Sequence, residues 1–162
     1  MRRFLAISLA LLALVPAAFA APPANKEPIK IKSDTLHADN EKGTATFEGK
    51  VVARQGDMTL YADRVVVTYS QTGHELSQVE AFGNVRILQE NRQATGSHAV
   101  YDPKAARIVL TGSPKVVQGD DVVTGKVITY YVNEQRSVVT SGPNQRVEAV
   151  IHPGEQNGGG KR

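Results

Sequence analysis

Glycines recur along this chain at intervals of about 30 residues, at Gly49, Gly83, Gly112 and Gly142, each interrupting a run of strand-forming residues. Phe47-Glu48-Gly49-Lys50-Val51 returns as Phe82-Gly83-Asn84-Val85, with weaker echoes in Leu110-Thr111-Gly112-Ser113-Pro114 and Thr140-Ser141-Gly142-Pro143. A second series runs out of phase with the first: Ser33-Asp34-Thr35-Leu36, Ala62-Asp63-Arg64-Val65, Gly96-Ser97-His98-Ala99 and Gly125-Lys126-Val127-Ile128. Glycine carries no Cβ, so a strand can bend sharply or take a positive φ there. Fixed periods of this size mark stacked supersecondary units, each reading strand, turn, strand, glycine corner, strand.

The residues between the corners are those of β-structure. Ile29-Lys30-Ile31-Lys32 and Met58-Thr59-Leu60-Tyr61 alternate apolar with polar, while Val65–Tyr69, Val122-Val123 and Val127–Val132 are β-branched or aromatic. Turn-forming clusters separate them at Asp39–Gly43, Gln71–Gly73, Asp102–Lys104 and Asn133–Gln135. Sustained helical spacing is absent after residue 20. The fold expected is all-β, with antiparallel strands stacked so that one apolar face runs through every unit. An open stack leaves an unpaired edge at each end. The Ile29–Lys32 and Val147–Ile151 segments are the expected edges, with Ile29, Ile31, Val147, Ala149 and Ile151 as the pairing residues.

Ahead of the repeats, Arg2-Arg3, an apolar run from Phe4 to Val15, Pro16 and Ala18-Phe19-Ala20 form the charged, apolar and small-residue parts of a secretory signal. Its apolar core falls well short of the roughly 20 residues a spanning helix needs. A cleavable leader over 1–20 is therefore expected, then one domain over 21–152 and a flexible tail over 153–162 that contains Gly158-Gly159-Gly160. Without Arg2 and Arg3 the formal charge falls from +3 to about +1. Clustered basic and aromatic residues of a nucleic-acid surface are missing.

Catalytic groupings are missing too. The chain has no Cys, which excludes disulfides, thiolate metal sites and a Cys nucleophile. His37, His74, His98 and His152 are scattered without ligand spacing, so neither a metal nor another cofactor is expected. Ser33, Ser97 and Ser141 lack a nucleophile elbow. Asp120-Asp121 beside Gly119 reads as a turn, and Asp34 and Asp63 read as groups that cap a turn or hold a strand end.

Three segments carry a resemblance. They are Ile29-x-Ile31-x-Ser33-Asp34, Ala45-Thr46-Phe47-Glu48-Gly49-Lys50-Val51, and Gln55-Gly56-x-x-x-Leu60-x-Ala62-Asp63-x-Val65-x-Val67. Together with Leu110–Pro114 and Gly125-Lys126-x-Ile128-Thr129-Tyr130, their order and spacing over Pro28 to Ile151 resemble the OstA-like (LptA) family of lipopolysaccharide transport proteins. One departure is that the corners at Gly112 and Gly142 lack the Phe found before Gly49 and Gly83. The resemblance implies an incomplete, twisted β-jelly roll whose apolar groove receives the acyl chains of lipid A. It also implies a non-enzymatic carrier in the periplasm. Such carriers join head to tail as homo-oligomers, between an LptC-like inner-membrane protein and an LptD-like outer-membrane protein.

Parity then selects the residues facing that groove: Ile29, Ile31, Leu36, Phe47, Val51, Leu60, Val65, Val67, Ile87, Tyr101, Ile108, Leu110 and Val127. The competing reading is a structural or polysaccharide-binding β-solenoid, which would display rows of exposed aromatic residues. Five Tyr and no Trp supply little for that. A small hydrolase lacks the residues it would need.

Overall fold

The computed structural model describes residues 27–72 and 75–153. The leader expected over 1–20 and nearly all of the tail expected over 153–162 lie outside the described residues. The described residues contain strands, turns and no helix.

Twelve strands follow in chain order: β1 Lys30–Lys32, β2 Thr35–Asp39, β3 Thr44–Gln55, β4 Met58–Tyr69, β5 Leu76–Gln89, β6 Arg92–Asp102, β7 Arg107–Thr111, β8 Lys115–Gln118, β9 Asp121–Thr124, β10 Val127–Tyr131, β11 Arg136–Thr140 and β12 Glu148–Val150. Every pairing is antiparallel. Strands β3 to β6 are long and bent, so each contributes to two arms of one folded sheet. The first arm runs β1-β3-β4-β5-β6-β8-β9-β12, and the second runs β2-β3-β4-β5-β6-β7-β10-β11.

The bends fall on the two series of corners. Gly49, Gly83 and Gly112 take φ of 82°, 73° and 74°, and Lys50, Asn84 and Ser113 follow them at 46°, 45° and 55°. Two consecutive left-handed residues turn the strand without ending it, and glycine takes the first of them at no steric cost. The second series packs against these glycines. A methyl group on Gly49 would collide with the carboxylate of Asp34, one on Gly83 with that of Asp63, and one on Gly112 with Ser97. Asp34 N–H donates to the carbonyls of Glu48 (3.1 Å) and Gly49 (3.0 Å), and Ser97 N–H to that of Gly112 (3.1 Å). Asn84 Nδ2 donates to Asp63 Oδ2 at 2.8 Å. The fourth pair differs: Gly142 meets the side chain of Lys126, whose N–H donates to the Thr140 carbonyl at 2.8 Å. The two out-of-phase series are thus the two halves of one joint, repeated along the stack.

The core lies where the arms meet. Val51, Val65, Val85 and Pro114 are its most deeply enclosed side chains, each under 2 % exposed, with Ala62, Ala81, Ala99, Leu110 and Ile128 packed around them. Among the described residues no polar or charged residue is fully buried. Inward residues are four apart across the glycine corners, as in Phe47 to Val51, Ala81 to Val85 and Leu110 to Pro114. Across the other series they are three apart, as in Ala62 to Val65, Gly96 to Ala99 and Gly125 to Ile128.

That step of three corrects one expected position. Val127 continues the alternation from Gly125, but the corner shifts the phase by one residue and turns Ile128 inward at 3 % exposed. Val127 falls on the opposite face. The two repeated Phe residues take different faces. Phe47 sits opposite Leu36 and Val65 on the inner face, whereas Phe82 pairs with Arg64 and His98 on the outer one. There Phe82 stacks on His98 with centroids 4.7 Å apart, and the guanidinium of Arg64 lies 4.4 Å from its ring centre. The inner counterparts of Phe47 are Ala81, Leu110 and Val139, so the missing Phe at the later corners breaks no inner row.

Candidate functional site

Strand register assembles the inner faces into continuous rows. In the first arm the row is Ile31-Ala53-Leu60-Ile87-Ala94-Val116-Val123-Ala149, each residue directly opposite the next. The second arm answers with Leu36-Phe47-Val65-Ala81-Ala99-Leu110-Ile128-Val139. Neighbouring strands lie about 4.8 Å apart, so each row extends about 34 Å along the stack. Both rows are apolar throughout.

Away from the corners the arms diverge and leave a cleft. It holds a cavity of about 500 Å³ between Leu60, Ile87 and Met58 of the first arm and Val79, Ala81, Ala99, Tyr101, Ile108 and Tyr130 of the second. A smaller space of about 70 Å³ continues past Met58 and Ile87 to Ala94, Leu110, Val116 and Ile128. These volumes span the range from a trapped water cluster to a small-molecule ligand site. Burial, then the charge of the adjacent Asp102, pushes the Tyr101 phenol above its ordinary pKa, so it stays neutral in the wall.

The floor is apolar and the rim is not. Two residues further from the corner, the inward row of the first arm reads Gln55-Met58-Gln89-Arg92-Gln118-Asp121. Gln89 Nε2 donates to the Asp57 carboxylate at 3.3 and 3.4 Å, Gln55 Nε2 to the Glu27 carbonyl at 2.9 Å, and Arg92 Nε to Gln118 Oε1 at 3.1 Å. Across the mouth stands the β10–β11 turn, with Asn133, Glu134 and Gln135 on the cavity.

The residues expected in the groove fall into groups. Ile29, Leu60, Ile87, Tyr101 and Ile108 line the large cavity, and Leu110 lines the small one. Val51, Val65 and Val67 are at most 4 % exposed and form the packed floor. Ile31 and Phe47 pack on that core from the side, and Leu36 lies at the end of its row, 56 % exposed. Val127 is outside. Beyond the expected set, Ala53, Met58, Val79, Ala81, Ala99, Ala106, Tyr130 and Val132 also line the cavity. For Ala53, Val79, Ala81 and Ala99 a sequence signal exists, because they share parity with Val51, Val85 and Tyr101. Their small size hides them.

Both ends of the stack are open. Among the described residues β1 pairs with β3 alone, β2 with β3 alone, β11 with β10 alone and β12 with β9 alone. The first and last of these are the expected edges; β2 and β11 complete each end. Exposed large apolar side chains gather there: Leu36 at one end, Val147, Val150 and Ile151 at the other. On the outer face β1 carries Lys30 and Lys32, and β12 carries Glu148.

The sequence model of the family described as "LptA/(LptD N-terminal domain) LPS transport protein" matches residues 30–136. The chain is 31 % identical over 157 residues to the lipopolysaccharide export system protein LptA of Escherichia coli (strain K12), covering 93 % of this chain and 85 % of the relative. It is 32 % identical over 145 residues to that of Haemophilus influenzae, covering 85 % and 84 %. Among solved structures, LptH of Pseudomonas aeruginosa, described as the LptA-homologous periplasmic component of the lipopolysaccharide transport device, superposes with a TM-score of 0.71 at 25 % identity. That match covers 82 % of this chain and all of the other. With its open, twelve-stranded, two-armed roll and a family match spanning β1 to the start of β11, this chain belongs to the LptA/LptD N-terminal-domain family of lipopolysaccharide transport proteins.

Proposed function

We propose that this protein carries lipopolysaccharide through the periplasm with the lipid A acyl chains inside the cleft, and that copies join end to end. The observation that carries the reading is the pair of unbroken apolar rows, open along one side and at both ends. A buried methylene is worth about 0.8 kcal/mol, so keeping one twelve-carbon chain out of water is worth roughly 10 kcal/mol. A molecule with several such chains needs cover along its whole path across water. Weak contacts repeated every strand let it slide, whereas one deep pocket would hold it.

Register supports the joining of ends. If β12 of one copy lies beside β1 of the next, the row ending Val123-Ala149 continues into Ile31-Ala53, with Lys30 and Lys32 near Glu148 on the outside. Similarly, Ile128-Val139 continues into Leu36-Phe47. The same edges suit an LptC-like inner-membrane protein and an LptD-like outer-membrane protein at the two ends of the line.

Photo-crosslinking tests the lipid contact. A crosslinker at Leu60 or Ile87 is expected to yield adducts with lipopolysaccharide, and one at Val66, on the outer face opposite Glu80, is not. Adducts at Val66 alone would overturn the assignment of the faces.

A further inference from the structure

The mouth of the cleft has its own chemistry. Four carboxamides face one another across it, Gln55 and Gln89 on the first arm, Asn133 and Gln135 on the β10–β11 turn. A carboxamide both donates and accepts, so it matches hydroxyl and amide groups rather than a single charge. The ionised groups around the mouth balance, Arg54, Arg92 and Arg136 against Asp57, Asp121 and Glu134, and two of the cations are engaged: Arg136 Nε on Glu134 at 2.8 Å and Arg92 Nε on Gln118 at 3.1 Å. A phosphate placed there would meet a surface of no net charge, where phosphate sites offer clustered Arg, Lys or backbone N–H groups.

We propose that this carboxamide mouth binds the neutral, hydroxyl- and amide-bearing part of an acylated sugar headgroup and leaves its phosphates in solvent. The inference rests on the acyl chains occupying the cleft below. Gln89 is held in place for such contacts, because its Nε2 bond to Asp57 fixes the amide at the rim directly beside Met58, where the apolar lining begins. Along the same rim Gln118 repeats the chemistry beyond Arg92, so the headgroup meets a similar surface as the lipid advances.

The test uses the purified protein and displacement of an apolar fluorescent probe by bisphosphorylated lipid A or by its fully dephosphorylated form. Wild type is expected to bind the two within about twofold of each other. A Gln55→Leu/Gln89→Leu variant should bind both about tenfold more weakly, as loss of two hydrogen bonds predicts, with each displacement corrected for the probe affinity measured directly on that variant. An Asn133→Leu/Gln135→Leu variant probes the opposite side of the mouth and guards against a misfolded first variant. A tenfold preference of wild type for the phosphorylated lipid would overturn the proposal, as would both variants binding like wild type. If wild type binds the probe and neither lipid, the transport reading itself falls.

Discussion

Replacing Gly49 or Gly83 by alanine should cost about 1–3 kcal/mol, because the backbone there is left-handed and the new methyl would strike Asp34 or Asp63. Gly119 provides the control: it also has positive φ, but nothing lies within 4 Å of a methyl group placed on it. Gly119→Ala should cost only about 1 kcal/mol, the left-handed penalty alone, and urea unfolding would separate the cases. A different residue-level test concerns pH. The backbone N–H of Lys42, then its ammonium at 3.1 Å, holds the Asp39 carboxyl below its ordinary value. A depressed folded-state pKa means that its contribution is present above the unfolded value and lost as pH falls through the folded one. Lys42→Ala should therefore move the Asp39 titration, followed by NMR, back towards the ordinary carboxylate range while the turn's backbone bond remains.

At the scale of elements, the end strands are separable from the fold. Leu36→Lys in β2 and Val150→Lys in β12 place charge on side chains already 56 % and 47 % exposed, so each should change stability by less than about 0.5 kcal/mol. Self-association measured by light scattering should nevertheless weaken; an unchanged assembly would remove the end-to-end reading. The strands themselves are largely legible in the sequence. Alternation and turn residues locate Lys30–Lys32, Met58–Tyr69 and Val127–Tyr131, and the 30-residue period locates the corners. Face assignment at a corner is not legible, because the inward step becomes four across one series of corners and three across the other, and the alternation on either side does not show the shift. For that reason Val127 takes the face opposite to the expected one, and Phe82 does not repeat the placement of Phe47. Nor does spacing reveal that Asp34, Asp63 and Ser97 close the corners, since each contact joins residues at least 15 apart in the chain. The groove's polar rim is equally hidden: Gln55, Gln89 and Gln118 become neighbours along one edge only once the register is known.

For the whole molecule, continuity matters more than any single contact. Ile87 stands near the middle of the first arm's row and lines both cavities. Ile87→Asp puts a charge across the path, and an in vitro transfer assay between two membranes should lose most of its flux even where lipid still binds at an end. Tyr101→Phe, which keeps the wall apolar and the shape intact, should leave that flux unchanged. A hollow closed on every side would limit its cargo to what fits within. Among the described residues no strand pairing joins the two arms at their outer margins, so on the proposed reading only the greasy root must be accommodated, and the remainder of the passenger can trail outside at any length. Such a passenger would travel as a hook travels in a curtain track, indifferent to the drop of the cloth.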